Sequence, residues 1–249
     1  MHRSVTIALC LGALPLAASG QGKFPPDSFT NLKVLPKNID QRTLINTMRG
    51  FSLALGVRCT YCHVGREGAP LDSINFAKDD KRTKRAARAM LHMVHHINEE
   101  HLNDVPDRPE PHVVVRCATC HRGVARPRPL EDTLGLVLAD SGRDAAARRY
   151  RELRTRYYGT GSYDFSEGVL TELARAEARA GRTDNALGLL GVNAEYYPAS
   201  AGIALAQGDV YRQRGDTAAA VASYRTALAR DSTLAPARQR LAELTGTRK

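Results

Sequence analysis

The sequence predicts an all-α protein, on three observations. Helix-favouring alanine, arginine and leucine recur along its 249 residues. Runs of alternating β-branched residues are missing, and the nearest, Val113–Val114–Val115, is too short to carry a sheet. Apolar residues also return at helical spacing in several stretches separated by proline and glycine. The length suits one or two domains with their own cores.

The first helix is expected within NIDQRTLINTMRGFSLALGV, residues 38–57. Leu44, Ile45, Met48, Phe51, Ser52 and Leu55 share a face there, with Asn38 or Asp40 as the N-cap. The second is expected within FAKDDKRTKRAARAMLHMVHHINEEHL, residues 76–102, with Asp79 or Asp80 as cap and an end near Leu102. Ala86, Met90, Val94 and Ile97 share one face, and Met93 lies beside it.

Proline marks two breaks: PDRPEP at 106–111 reads as an extended loop, and PRP at 127–129 as a domain boundary. Beyond it a period appears. Gly181 and Gly215 stand 34 residues apart, Ala186 matches Ala220, and Leu190 matches Tyr224. Gly208, Tyr211, Ala220, Tyr224 and Ala227 occupy tetratricopeptide positions, and 34 is the period of that repeat. DSGRDAAARRYREL at 140–153 reads as a degenerate first copy. Residues 130–249 therefore resemble a short tetratricopeptide solenoid of two to three helix pairs, which would offer a surface to protein partners. The plainer alternative is a helical cap that only stabilises what precedes it.

At the other end, MHRSVTIALCLGALPLAASGQG has a basic start, an apolar stretch and then small residues. This is the pattern of a secretory signal peptide, residues 1–20, cut after Ala18 or Gly20, and it predicts a periplasmic protein. The apolar run is too short for a membrane span. An uncut anchor, which would leave the protein membrane-associated, is the alternative. Cys10 would leave with the peptide, and Leu9 before it does not suit lipid attachment.

Four cysteines then remain, all in two copies of one pentapeptide: Cys59, Cys62 and His63 in CTYCH, and Cys117, Cys120 and His121 in CATCH. Zinc wants four ligands close together, whereas these pairs are 58 residues apart. A redox dithiol needs no histidine after its second cysteine. Covalent c-type haem needs both features: two thiols add to its vinyl groups and the next residue offers an imidazole to the iron. Two covalently bound haem c groups are thus expected, with His63 and His121 as proximal ligands and zinc or disulfides as alternatives. For the sixth positions the mature chain has three methionines, Met48, Met90 and Met93, each upstream of a motif. The competing readings are core filling by these methionines and ligation by His92, His95, His96, His101 or His112.

MRGFSLALGVRCTYCHVG, FAKDDKRTKRAARAMLHMVHHIN and VRCATCHRG together resemble the cytochrome c subunit of photosynthetic reaction centres, and more closely its shorter dihaem relatives in non-phototrophic bacteria. The resemblance covers about residues 30–127. It implies units built of a methionine-bearing helix, a turn and a haem-attachment helix. It also implies Met48 as sixth ligand of the first haem and Met90 of the second, with Met93 as fallback. The domain so implied is 21–127, followed by the helical repeats at 130–249. The family subunit carries four haems, is usually lipid-anchored and needs no C-terminal repeat region, so the resemblance implies the haem chemistry more firmly than the photosynthetic partner.

A formal charge of +10 suits acidic partners or anionic surfaces, but no basic stripe is interleaved with aromatics, so nucleic acid is not expected. The function that fits is single-electron transfer between periplasmic or membrane redox proteins, docked through the repeats, a reaction centre core among them. This is an electron carrier rather than an enzyme. The competitors are a dihaem peroxidase, which needs an open sixth position and distal acid–base groups, and a scaffold whose haems are structural or sensory.

Overall fold

The computed structural model describes residues 23–246, so the expected signal peptide and Cys10 lie outside the described residues. Nine α-helices and no strand occur among the described residues. They are α1 Gln41–Leu55, α2 Arg82–His96, α3 Cys117–His121, α4 Leu130–Tyr157, α5 Glu167–Arg179, α6 Thr183–Tyr196, α7 Ala201–Arg214, α8 Thr217–Arg230 and α9 Ala235–Thr245. No described helix is long and apolar enough to cross a membrane.

The chain forms two compact units: Met1–Ser52 with Val57–Val115, and Leu53–Gly56 with Arg116–Lys249. The boundary expected at 127–129 is therefore not where the units divide, and the second cysteine motif groups with the C-terminal helices. The bonds that tie it there are local to that unit. The Gly123 N–H donates to the Ala54 carbonyl at 2.8 Å, and the Ser162 hydroxyl donates to the Arg122 carbonyl at 2.5 Å.

In the first unit α1 starts as expected, with Asp40 Oδ1 accepting from the Thr43 N–H at 2.9 Å. The start of α2 differs. Neither Asp79 nor Asp80 caps it; Lys81 holds the N-cap position without a side-chain bond. Asp79 is engaged elsewhere, by Asn31, Lys33, Lys84 and Arg88. The far end of α2 widens into one π-helical turn, Ile97–His101, before Leu102.

In the second unit α5 packs on α6, α6 on α7, α7 on α8 and α8 on α9, while α4 lies against α5 and α6. Leu134, Tyr150, Leu170, Leu189 and Ile203 are among its fully buried side chains. α4 is broken at Gly142, whose φ of 81° and ψ of 178° are open to glycine alone, just where the first repeat-like copy was expected to begin. At Gly208 on α7 a Cβ would come within 2.4 Å of Tyr224 Cε1 on α8, so the missing side chain lets that ring lie on the helix backbone.

Candidate functional site

The first motif is a tight turn. Cys59–Tyr61 is one 3₁₀ turn, and the N–H groups of Cys62 and His63 both donate to the Cys59 carbonyl. This places two thiols and an imidazole on one short stretch of backbone. The start of α2 grips the turn from outside: Lys81 Nζ donates to the Thr60 carbonyl and the Thr83 hydroxyl to the Tyr61 carbonyl.

The imidazole is oriented by its other nitrogen. His63 Nδ1 lies 3.2 Å from the Phe76 carbonyl oxygen, an acceptor, so Nδ1 carries the proton and Nε2 holds the lone pair. The Phe76 ring meets His63 edge-on, 4.9 Å between centroids. Burial, reinforced by the charge of Lys84, pushes the His63 pKa from 6.5 down to about 4. At neutral pH the ring is uncharged, the form that binds a metal.

Lys84 holds the loop behind this histidine. It is only 8% exposed. Its Nζ donates to the carbonyls of Phe76 at 2.8 Å, Ala77 at 3.0 Å and Lys78 at 2.8 Å, and pairs with Asp79 Oδ1 at 3.0 Å. Asp79 in turn takes Lys33 at 2.7 Å and Arg88 at 2.8 Å. The three cations hold its carboxyl well below the usual carboxylate range, Arg88 contributing most. Thus the Phe76 carbonyl that orients His63 is itself fixed by a buried ammonium.

The second motif is helical. Cys117–His121 forms α3, with the Arg116 N–H donating to Thr119 Oγ1 at 2.9 Å. Arg122 (φ 47°) and Gly123 (φ 82°) then turn the chain through left-handed conformations. This return brings Val124 back to the histidine: His121 Nδ1 donates to the Val124 carbonyl at 2.9 Å, and the Val124 N–H donates to the His121 carbonyl at 2.8 Å. Both histidines are therefore tied at Nδ1 to a backbone carbonyl, and among the described residues neither Nε2 has a hydrogen-bond partner.

All four cysteines are free thiols. Burial raises the Cys62 pKa, so its sulfur stays protonated at neutral pH. Among the described residues no three His, Cys, Asp or Glu side chains converge as a metal cluster would require. Met48 sits half-buried on α1. Met90 and Met93 project from α2 with 43% and 44% of their surface exposed, unusual for residues serving only as core fillers. Of the competing histidines, His96 is bound to Glu100 at 2.6 Å and His112 to Glu110 at 2.8 Å.

Each Cys–Cys–His set lies on one turn of backbone, and Met48 lies on α1 and Met90 and Met93 on α2. Lys84 and the Phe76 carbonyl escaped the sequence reading, and Asp79 was expected only as a helix cap. A lysine in KRTKRAARA reads as one more solvated charge, and only the fold places carbonyls around it.

No curated protein matches the chain. Residues 18–133 match the family model described as the photosynthetic reaction centre cytochrome C subunit. That span takes in both motifs and all three methionines. Cytochrome c chemistry, with covalently bound haem and electron transfer, comes with this match. Through residues 18–133, the chain is similar to the photosynthetic reaction centre cytochrome C subunit family.

Proposed function

We propose that this chain is a secreted, periplasmic dihaem cytochrome that carries single electrons between redox proteins. The observation that carries this reading is shared by both motifs: free thiols on one turn, next to a histidine whose Nδ1 is tied to a backbone carbonyl. Such a set fits a haem held by two thioethers and one imidazole, with Cys59, Cys62 and His63 holding one and Cys117, Cys120 and His121 the other. A bound haem supplies a one-electron change at its iron.

The protein's part is to hold ligands and set the surroundings. The carbonyl behind each histidine fixes the ring and raises its basicity. Met48 for the first haem and Met90 for the second complete the coordination in the family likeness, with Met93 as fallback, and methionine raises the potential. The C-terminal helices, with Gly208 seated under Tyr224, support a tetratricopeptide-like docking role. The partners are periplasmic or membrane redox proteins, a reaction centre core included.

The test is haem content and the absorption spectrum of the purified protein in both redox states. Two covalent haems per chain and the weak near-infrared sulfur-to-iron band are expected, with that band halved in Met48→Ala and in Met90→Ala. One haem, no band, or rapid peroxide turnover would overturn the reading.

A further inference from the structure

The second motif lies in a stretch of one charge sign. Between Glu110 and Glu131 the chain has no acidic residue, yet it carries Arg116, Arg122, Arg126 and Arg128. All four are exposed, as are Thr119 and Cys120 of the motif itself. None forms an ion pair among the described residues, and neither Glu131 nor Asp132, which follow on α4, pairs with them. Arg122 reaches only the Thr119 carbonyl.

In the rest of the same unit an arginine is more often paired, although seven of the described ones, Arg179 and Arg225 among them, are not. Eight of its arginines sit within 4 Å of a carboxylate, for instance Arg151 on Glu195 at 2.5 Å and Arg240 on Asp209 at 2.5 Å. From Arg116 to Arg128 no arginine has a carboxylate partner, and this stretch borders the exposed part of the motif. Such charges repel one another, and a neutral surface would serve folding better; a surface that keeps them gains on encounter with an opposite charge.

We propose that this arginine rim docks the acidic face of a redox protein that exchanges electrons at the second motif. This rests on the haem reading above. A lipid headgroup would satisfy the charges but can take no electron, and the rim borders a motif whose proposed work is electron exchange. Attraction at this surface would orient the partner and raise its association rate, by about 10- to 1,000-fold at low salt, and the gain fades as the screening length falls to roughly 8 Å at physiological ionic strength.

The probe is an acidic cupredoxin, a one-electron copper protein. In each productive encounter one electron passes from the reduced cytochrome to cupric copper, which becomes cuprous; no proton or atom moves. Affinity for the oxidised cupredoxin and the electron-transfer rate are measured against salt for the full-length haem-loaded chain. Two double variants are compared with it: Arg126→Gln/Arg128→Gln, and Arg179→Gln/Arg225→Gln, which removes the same charge from α5 and α8.

The rim variant is expected to lose on the order of tenfold in affinity and rate at low salt, with a flatter salt dependence. The remote variant keeps the wild-type values. Equal losses in both variants, or none in either, would overturn the proposal. So would a rim variant that shifts one haem's midpoint potential without changing the salt dependence, because the arginines would then serve the haem's own propionates. Salt-sensitive binding to phosphatidylglycerol vesicles, lost in the rim variant while cupredoxin binding is kept, would reassign the surface to a membrane. A chain without covalent haem would instead sink the haem reading, which the absorption spectrum reports separately.

Discussion

Asn98 grips the backbone of Val115 in both directions: its Nδ2 donates to the Val115 carbonyl at 2.9 Å, and its Oδ1 accepts from the Val115 N–H at 2.8 Å. Nδ2 also reaches the Val94 carbonyl at 3.0 Å. One amide thus ties the end of the α2 segment to the chain two residues before Cys117. The first motif needs no such tie, because Cys59 follows almost directly on the end of α1 at Leu55. The second stands behind a proline-rich loop, and Asn98 does the work that chain proximity does for the first.

Replacing Asn98 with alanine removes three hydrogen bonds and leaves the half-buried Val115 backbone groups without these partners. A loss of about 2 kcal/mol is expected, read as an earlier denaturant midpoint. The share of chains with a second covalent haem should fall too, because the cysteines must be presented to the vinyl groups in register. An Asn98→Ala protein with wild-type stability and full haem loading would remove this role.

Lys84 makes a sharper case. Lys84→Met keeps most of the stem's volume but strips the donor from three carbonyls and one cation from Asp79. Breaking a buried charged network of this kind costs about 3 kcal/mol. Of the three carbonyls, that of Phe76 also orients His63. Lys84→Met should therefore shift the midpoint potential of one haem and leave the other in place, whereas Lys81→Met, beside the same turn, should move it less. Equal shifts in the two variants would mean that charge alone matters and the carbonyl does not.

How much of this could be read in advance depended on range. The Asp40 cap, the course of α1 and α2 and the two motifs follow from residues within a few positions of one another, and the sequence displays them. Asp79 looked like a cap by the same local rule. It lost that role to Asn31 and Lys33, 48 and 46 residues away, which no local pattern encodes. Asn98 closes the family-like stretch that ends in HHIN, but its grip on Val115 needs the loop to close first. The compact units divide elsewhere than at the proline run for a related reason. The proline run at 127–129 is a visible break, but the bonds from Gly123 to Ala54 and from Ser162 to Arg122 draw the motif onto its C-terminal side.

The contact between α7 and α8 gives a test confined to the second unit. Gly208→Ala places a methyl within 3 Å of the Tyr224 ring, whose hydroxyl is held by Asp209 at 2.9 Å and so cannot easily withdraw. Overpacking of this kind costs about 1–3 kcal/mol. The helix signal should melt earlier while the haem spectrum stays as in wild type. Gly191→Ala on α6, where a Cβ would meet nothing within 4 Å, is the matched control and should be neutral or slightly stabilising.

Asp79 sets the acid response of the first unit. Arg88, Lys33 and Lys84 hold its folded-state pKa below the unfolded value, so its ionised form favours the fold. The sign follows: the contribution is fully present above the unfolded pKa, about 3.9, and is lost as pH falls through the lower folded-state value. Asp79→Asn should therefore be less stable than wild type at neutral pH, and the gap should narrow steadily below about pH 4 as the wild-type carboxylate takes up its proton. Denaturant midpoints for the two proteins across this range decide the matter. A gap that stayed constant into strong acid would show that Asp79 acts through hydrogen bonds to Asn31 and its neighbours, and that its charge adds nothing.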